Sequence, residues 1–167
     1  MARKVFFSFH YQNDIFRVNT VRNHFLTKSG YTDSGYFDSS LWEAAKSKSP
    51  ECLKRMINDG LEGTTVTAIL IGTETASRPW VKYEIEQSIK RGNALLGIYI
   101  HNITCLKTRS TTSQGRNLLN NFVCQNPRIK STSGKCSEFY QSYDWVNDDG
   151  YNNFITWVET AAKRAGK

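Results

Sequence analysis

The sequence predicts an open α/β fold, in which a parallel sheet carries helices on both faces. Short apolar runs alternate with amphipathic stretches of helical period, in the order β-α-β-α-β-α-β. Strands joined in this way pair in parallel through right-handed crossovers, so we expect the sheet order 2-1-3-4 with a weak fifth strand at the edge. The 167 residues, of which 39% are hydrophobic, predict a single domain over residues 1–167.

Four apolar runs are the predicted core strands. The first is the aromatic run "KVFFSFH" (4–10), which suits a buried strand. The second is the brief run "GYFDSS" (35–40), and the third is the β-branched run "TTVTAILIG" (64–72). The fourth is "ALLGIYIH" (94–101), and "YDWV" (143–146) is the candidate for the short fifth strand.

Two of the predicted helices connect the first three strands. Helical spacing of apolar residues predicts one helix within residues 13–30, with Asn13 or Asp14 as its N-cap. The other helix spans residues 49–61 and opens with a serine cap followed by a proline in the first turn.

The helix predicted within "SRPWVKYEIEQSIKRGN" (77–93) has three faces. Apolar residues at helical spacing predict the core-facing stripe, which consists of Val81, Ile85 and Ile89. Opposite charges at i, i+4 spacing predict a solvated face, which consists of Lys82, Glu86 and Lys90. Trp80 and Glu84 occupy a third face, off the core stripe. On this helix alone, Trp80 is a half-buried packing residue and Glu84 an exposed acid; the alternative is that both belong to a site.

The segment 102–142 is polar and is predicted to be an irregular basic insertion or loop, and a last helix follows within 148–166. Most of the net charge of +7 lies on six residues of this segment, between which there is no acid: Lys107, Arg109, Arg116, Arg128, Lys130 and Lys135. We expect residues 102–137 to be poorly packed. The charges indicate either a solvated loop or a surface that attracts phosphates or an acidic protein. Nucleic acid is disfavoured, because aromatic and basic residues do not alternate regularly.

Several classes of protein are disfavoured by composition. The apolar runs are too short to span a bilayer, and the N-terminus lacks the pattern of a signal peptide, so we expect a cytoplasmic protein without a membrane partner. The cysteines lack CxxC spacing and form no ligand pattern with the histidines, so we expect reduced thiols and no metal site. They are Cys52, Cys105, Cys124 and Cys136.

Polar residues follow the predicted strands at their carboxyl ends, where ligands bind in open parallel sheets. The helix that carries Trp80 and Glu84 begins soon after the third strand. We therefore expect one crevice at this edge of the sheet, surrounded by Ser8, His10, Asp38, Trp80 and Glu84.

The same stretches resemble the TIR domain family. "KVFFSFH" is similar to its first strand, "GYFDSSLWE" to its second strand and following loop, and "RPWVKYEI" to its tryptophan–glutamate helix. Trp80 and Glu84 fit the W-x-x-x-E pattern of the branch that cleaves NAD. "FFSFHYQND", "FDSSLWE" and "DDGYNNF" are most similar to the TIR-like proteins of bacterial Thoeris antiphage systems.

The resemblance implies a flavodoxin-like, three-layer fold and cleavage of the nicotinamide–ribose bond of NAD, with NAD as substrate and no cofactor. It implies that Glu84 is the catalytic carboxylate, which can act while ionised without an unusual pKa, and that Trp80 walls the pocket or holds the helix start. Related enzymes often carry a pair of basic residues where His10 and Tyr11 stand. This chain lacks that pair, so Ser8 and His10 are the candidate hydrogen-bond donors to the diphosphate.

Two further site residues keep alternative roles. Asp38 either binds a ribose hydroxyl or caps the turn that follows, and Trp42 is either a packing residue or a stacking platform. The resemblance also implies a cyclic ADP-ribose-type product that activates a separate effector, a phage-derived trigger and self-association through TIR surfaces.

Two other functional classes compete with an enzyme. A TIR module that only binds other TIR domains usually carries an R-D-x-x-P-G-like stretch after the second strand, and "SSLWEAAKSKSPE" has none. A phosphoacceptor receiver would need paired acids after the first strand and a lysine after the last core strand. "SFHYQND" and "YIHNIT" supply neither.

Overall fold

The computed structural model describes residues 3–28, 30–34 and 39–167, without the side chains of residues 39–43. In chain order, the strands and α-helices are β1 (Arg3–Ser8), α1 (Tyr11–Leu26), β2 (Tyr31–Ser34), α2 (Ser39–Lys48), α3 (Pro50–Leu61), β3 (Val66–Ile71), α4 (Pro79–Lys90), β4 (Ala94–Tyr99), β5 (Val123–Gln125), β6 (Ser133–Lys135), α5 (Cys136–Phe139), β7 (Ser142–Asp144) and α6 (Gly150–Arg164). Single turns of 3₁₀ helix lie at Thr75–Ser77 and Leu118–Asn120. None of these helices is long and apolar enough to cross a membrane.

The central sheet has five parallel strands in the order β2-β1-β3-β4-β7. The predicted order of the first four strands is confirmed. The short strand predicted within 143–146 is also confirmed, since β7 pairs in parallel with β4 at the edge. The architecture is flavodoxin-like, with helices on both faces of the sheet.

The position of the second strand was predicted wrongly. We expected it at 35–40, but β2 lies at Tyr31–Ser34, and residues 39 and 40 already belong to α2. Residues 35–38 lie outside the described part of the chain. Gly30 has a φ of +83°, and its carbonyl accepts a hydrogen bond from the Arg3 amide at 2.8 Å. The chain therefore turns at Gly30 directly into pairing with β1. An edge strand tolerates polar residues, which hid β2 from a search for apolar runs.

The helices agree with the predictions in different degrees. Helix α3 is as predicted, and the hydroxyl of its N-cap, Ser49, accepts a hydrogen bond from the Cys52 amide at 3.1 Å. Helix α1 begins at Tyr11 with His10 as its N-cap, so the assignment of Asn13 or Asp14 to that position was wrong.

Side chains of β1 alternate between the two faces of the sheet. Phe7 packs edge-on against Phe25 of α1, with ring centroids 5.4 Å apart, and contacts Phe154 of α6. Phe6 points the other way, into a smaller cluster that includes Leu53 of α3. Ser8, at the end of the strand, therefore faces the side of the sheet that α3 and α4 cover.

Most residues of the basic segment 102–142 are exposed, and a few buried residues anchor the segment to the core. Its buried hydrophobic residues include Ile103, Leu118, Leu119, Cys136 and Tyr140. Strands β5 and β6 form an antiparallel pair within it. A few apolar side chains at irregular spacing hold the segment against the core, and no periodic pattern in the sequence predicts them. Its six basic side chains are all exposed, as both alternatives for the charges require.

Arg17 of α1 also holds this segment. Its side chain is buried, and it donates hydrogen bonds from Nε to the Ile103 carbonyl at 2.9 Å and from Nη2 to the Ser110 carbonyl at 3.0 Å. The backbone of the segment also packs closely on the sheet, because a Cβ at Gly115 would lie 1.9 Å from the Gly72 carbonyl oxygen.

We expect Arg17→Met to lower the free energy of unfolding by about 2 kcal/mol or more, because hydrogen bonds to charged donors contribute about 1.5–3 kcal/mol each. Urea denaturation measures this loss. Trypsin should also cleave faster after Lys107 and Arg109, which lie in the released segment. The control is Lys82→Met on an exposed face of α4, which should change stability by less than about 0.5 kcal/mol. Equal stability of the two variants would contradict the anchoring role.

Candidate active site

Two polar side chains meet in the interior at the carboxyl end of β1. Ser8 is the last residue of β1, and Glu84 lies in the second turn of α4. The Ser8 hydroxyl donates a hydrogen bond to Glu84 Oε2. Ser8 is 0% exposed and Glu84 is 3% exposed, so the contact is closed to solvent. The structure thus brings together the first strand and the tryptophan–glutamate helix, as the sequence indicated.

Glu84 lies on the core stripe of α4, and its predicted placement off that stripe was wrong. The buried residues of the helix are Val81, Glu84, Ile85 and Ser88, which follow the spacing i, i+3, i+4 and i+7. Ile89, which was expected on the stripe, is only partly buried. Two of the four positions that face the sheet are therefore polar, a pattern that a search for apolar residues passes over.

Burial sets the protonation of Glu84. It raises the pKa of the Glu84 carboxyl from 4.5 to about 8, and the hydrogen bond from Ser8 opposes this shift. At neutral pH the carboxyl is therefore mostly protonated in this form of the protein. The ionised carboxylate that the resemblance implies for catalysis is therefore not the main species in this form.

A row of buried polar groups continues from Glu84 along the contact between α4 and the sheet; we call it the polar seam. Ser88 Oγ donates to the Glu84 carbonyl at 2.7 Å, and Thr67 Oγ1 of β3 donates to Ser88 Oγ at 2.7 Å. Asn93 Nδ2 donates to Thr67 Oγ1 at 3.3 Å and to Thr64 Oγ1 at 2.8 Å. The seam fixes the position of α4 along the strands, because a shift of the helix would leave buried polar groups unpaired.

Trp80 is half-buried and packs against the smaller hydrophobic cluster on this face of the sheet. Its ring lies edge-on to that of Tyr83, with centroids 6.0 Å apart. These contacts favour the packing role for Trp80. Since Ser8 and Glu84 are closed to solvent, they do not line one open crevice with Trp80 in this form.

His10 belongs to a second polar group at the same edge of the sheet. It is buried, and its Nδ1 lies 3.9 Å from Glu74 Oε2. That oxygen also accepts hydrogen bonds from Asn13 Nδ2 at 2.5 Å and from Arg78 Nη2 at 2.7 Å. Burial, and after it the positive charge of Arg78, lower the pKa of His10, so its imidazole is neutral at pH 7. Lys46 of α2 also acts on this pKa through its charge.

Asp14 completes this edge and was missed as a candidate for the site. It is 4% exposed, and burial raises the pKa of its carboxyl to about 6, against the opposing charge of Arg17. A Cβ at Gly72 would lie 2.1 Å from Asp14 Oδ2, so a larger residue at this position would displace the Asp14 carboxyl. A signal existed in the sequence: Asp14 is in helical register with Val18, Val21 and Phe25, on the buried stripe of α1.

The remaining candidates are Tyr11, Asp38 and Trp42. Tyr11 is the first residue of α1 and half-buried, and its ring lies 5.9 Å from that of Phe9. Asp38 and the side chain of Trp42 lie outside the described part of the chain. The roles of all three stay predictions.

A parallel sheet of this strand order, with a carboxyl-bearing helix after β3 that contacts the end of β1, defines a TIR-type α/β domain. The family model described as "Thoeris protein ThsB, TIR-like domain" matches residues 6–104. A relative from Bacillus cereus (strain MSX-D12), named "Putative cyclic ADP-D-ribose synthase ThsB1", is 42% identical over 192 aligned positions, which cover 95% of this chain and 100% of the relative. The chain belongs to the ThsB family of TIR-like Thoeris proteins.

The raised pKa of Glu84 predicts a specific dependence of stability on pH. Between pH 4.5 and about 8 the folded protein keeps a proton on Glu84 that the unfolded chain releases. Raising the pH through this window therefore lowers the free energy of unfolding, by at most about 1.4 kcal/mol per pH unit. Glu84→Gln removes this contribution. As the pH rises from 6.5 to 7.5, the free energy of unfolding of the variant should therefore increase by about 1 kcal/mol relative to that of the wild type.

Urea denaturation at several pH values measures the difference in the free energy of unfolding between the wild type and Glu84→Gln. The contributions of the other titrating groups cancel in this difference. The control is Glu86→Gln, a change of the same kind on the exposed face of α4, which should follow the wild type. A wild type and a Glu84→Gln variant with parallel pH profiles would show that Glu84 ionises normally.

Proposed function

We propose that this chain is an enzyme of antiphage defence that cleaves the nicotinamide–ribose bond of NAD and forms a cyclic ADP-ribose-type signal for a separate effector. The observation that carries the proposal is the carboxyl of Glu84, held by Ser8 at the carboxyl end of β1. Family membership supports the reaction class, and the name of the relative from Bacillus cereus supports a cyclic product. NAD is the substrate in this proposal, and no resident cofactor is required.

Glu84 would supply the negative charge that the reaction needs. Departure of nicotinamide leaves a ribose with oxocarbenium character, which is short of electrons at its anomeric carbon. A carboxylate beside that ribose stabilises the developing positive charge and can accept hydrogen bonds from the sugar hydroxyls. Ser8 would orient the carboxyl before substrate arrives.

The buried form of Glu84 supports a resting state that awaits a trigger. A side chain that is 3% exposed cannot touch a substrate, and a mostly protonated carboxyl stabilises a cation poorly. Burial is the main cause of the raised pKa, so any movement that exposes Glu84 to water or substrate also lowers this pKa. Exposure and ionisation would therefore occur together. A phage-derived trigger and self-association through TIR surfaces are the proposed causes of this movement, and the proposed location is the cytoplasm.

Positive charge near His10 supports binding of an anionic substrate at this edge. Basic residues are missing directly after β1, but Arg78 at the start of α4 and Lys46 of α2 both act on His10 through their charges. Arg78, which is also ion-paired with Glu74 at 2.7 Å, and Lys46 are the proposed attraction for the diphosphate of NAD. His10, Tyr11, Asp38 and Trp42 stay candidate contacts for the rest of the nucleotide, and Trp80 would hold the start of α4.

Glu84→Gln should abolish the nucleotide product without loss of folded protein, because it removes the carboxylate and keeps the shape of the side chain. The measurement uses bacteria that express the chain and are infected with phage. Extracts are analysed by mass spectrometry for cyclic ADP-ribose isomers and free nicotinamide, and the level of folded protein is measured in parallel.

Glu86→Gln is the matched control, since it removes a carboxylate from the exposed face of the same helix and should retain the product. A Glu84→Gln variant that forms product at the wild-type level would exclude Glu84 from the mechanism. A non-catalytic interaction module predicts that infected cells expressing any of the three proteins contain no such product.

A further inference from the structure

Two cysteines lie side by side in the segment 102–142, away from Glu84. In the β5–β6 pair, Cys124 lies opposite Gly134, and the Cys136 amide donates to the Phe122 carbonyl at 2.8 Å, which extends the ladder by one position. Residues two apart on a strand share a face, so Cys124 and Cys136 are diagonal neighbours on the same face of this ladder. The Cys136 thiol donates a hydrogen bond to the Cys124 sulfur.

The pKa values of the two thiols are shifted in opposite directions. The hydrogen bond from Cys136 is the main cause that lowers the pKa of the Cys124 thiol, and it raises the pKa of the Cys136 thiol. The thiolate is the nucleophilic form of cysteine, so Cys124 is the attacking member of the pair. Cys136 is 0% exposed and remains a thiol in contact with it.

A small molecule can approach Cys124 through a cavity of about 300 Å³. The cavity lies beside the amino end of β4, at the opposite edge of the sheet from Ser8 and Glu84. Lys130 and Lys167 also line it, whereas burial and the negative charge of Glu138 oppose the lowering of the pKa of the Cys124 thiol.

We propose that Cys124 and Cys136 form a redox-active dithiol, which a hydroperoxide such as hydrogen peroxide converts reversibly into a disulfide. The Cys124 thiolate attacks one peroxide oxygen and breaks the O–O bond, which gives a sulfenic acid and, after proton uptake, one water. The Cys136 sulfur then attacks the sulfenic sulfur, the S–S bond forms, the S–O bond breaks, and the hydroxyl leaves with the proton of the Cys136 thiol as a second water. The two thiols lose two electrons and the peroxide gains them.

Peptide mapping tests the proposal on the wild-type chain. The folded, reduced protein is treated with hydrogen peroxide, alkylated, and digested with trypsin without reduction. Cys124 and Cys136 fall in separate tryptic peptides, 117–128 and 136–163, so their disulfide joins the two. We expect the joined peptides, a loss of two of the four alkylatable thiols, and recovery of both thiols with dithiothreitol.

Two variants sharpen the test. The double variant Cys52→Ser and Cys105→Ser keeps the pair and should give the joined peptides in wild-type yield. Cys136→Ser should prevent the link and leave Cys124 as a sulfenic acid that dimedone captures. Peroxide treatment of the wild type that joins a different pair, or that oxidises Cys124 beyond sulfenic acid without joining peptides 117–128 and 136–163, would overturn the proposal.

Discussion

The burial of one ionisable carboxyl, Glu84, against Ser8 is the constraint that joins α4 to the end of β1. A buried carboxylate without a partner is strongly destabilising, so the site is compatible with folding only if the carboxyl stays protonated or hydrogen-bonded. Here it does both. The polar seam below it, through Ser88, Thr67 and Asn93, has the same requirement, since each group is satisfied only when α4 sits at one position along β3. The seam thus positions α4 more exactingly than apolar packing alone would.

The same constraint connects stability with the proposed chemistry. A carboxyl with a pKa of about 8 is mostly protonated at pH 7, and to ionise it there costs only about 1.4 kcal/mol. The ionisation of Glu84 is therefore a small part of the proposed activation. A trigger or partner copy that binds better to the opened form would shift the population by the difference between its affinities for the two forms. In the proposed function, an enzyme controlled in this way would keep its fold and would not consume NAD before infection.

The sequence predicted the sheet and most helices because their signals are local and periodic. The apolar run of β3 and the serine–proline start of α3 each appear as predicted. Errors and omissions arose where tertiary contacts override local pattern. Strand β2 is a polar edge strand that pairing with β1 creates, and the basic segment is held by scattered apolar residues and by Arg17. At the candidate site, the topology of the sheet predicted that α4 lies close to the end of β1. It did not predict the burial of Glu84, because an acid in an amphipathic helix is expected at the surface unless a partner such as Ser8 is known.

A carbon NMR titration of the resting protein, with isotopically labelled glutamate, tests the central claim that Glu84 is stored as a buried, protonated carboxyl. The side-chain carboxyl signals are followed from acidic to alkaline pH, and the Glu84 signal is identified by its absence from Glu84→Gln. We expect this one signal to titrate near pH 8, well above the ordinary glutamate value of 4.5. A Glu84 signal that titrates with the exposed glutamates would contradict the account, because the carboxyl would then be solvated and ionised in the resting protein.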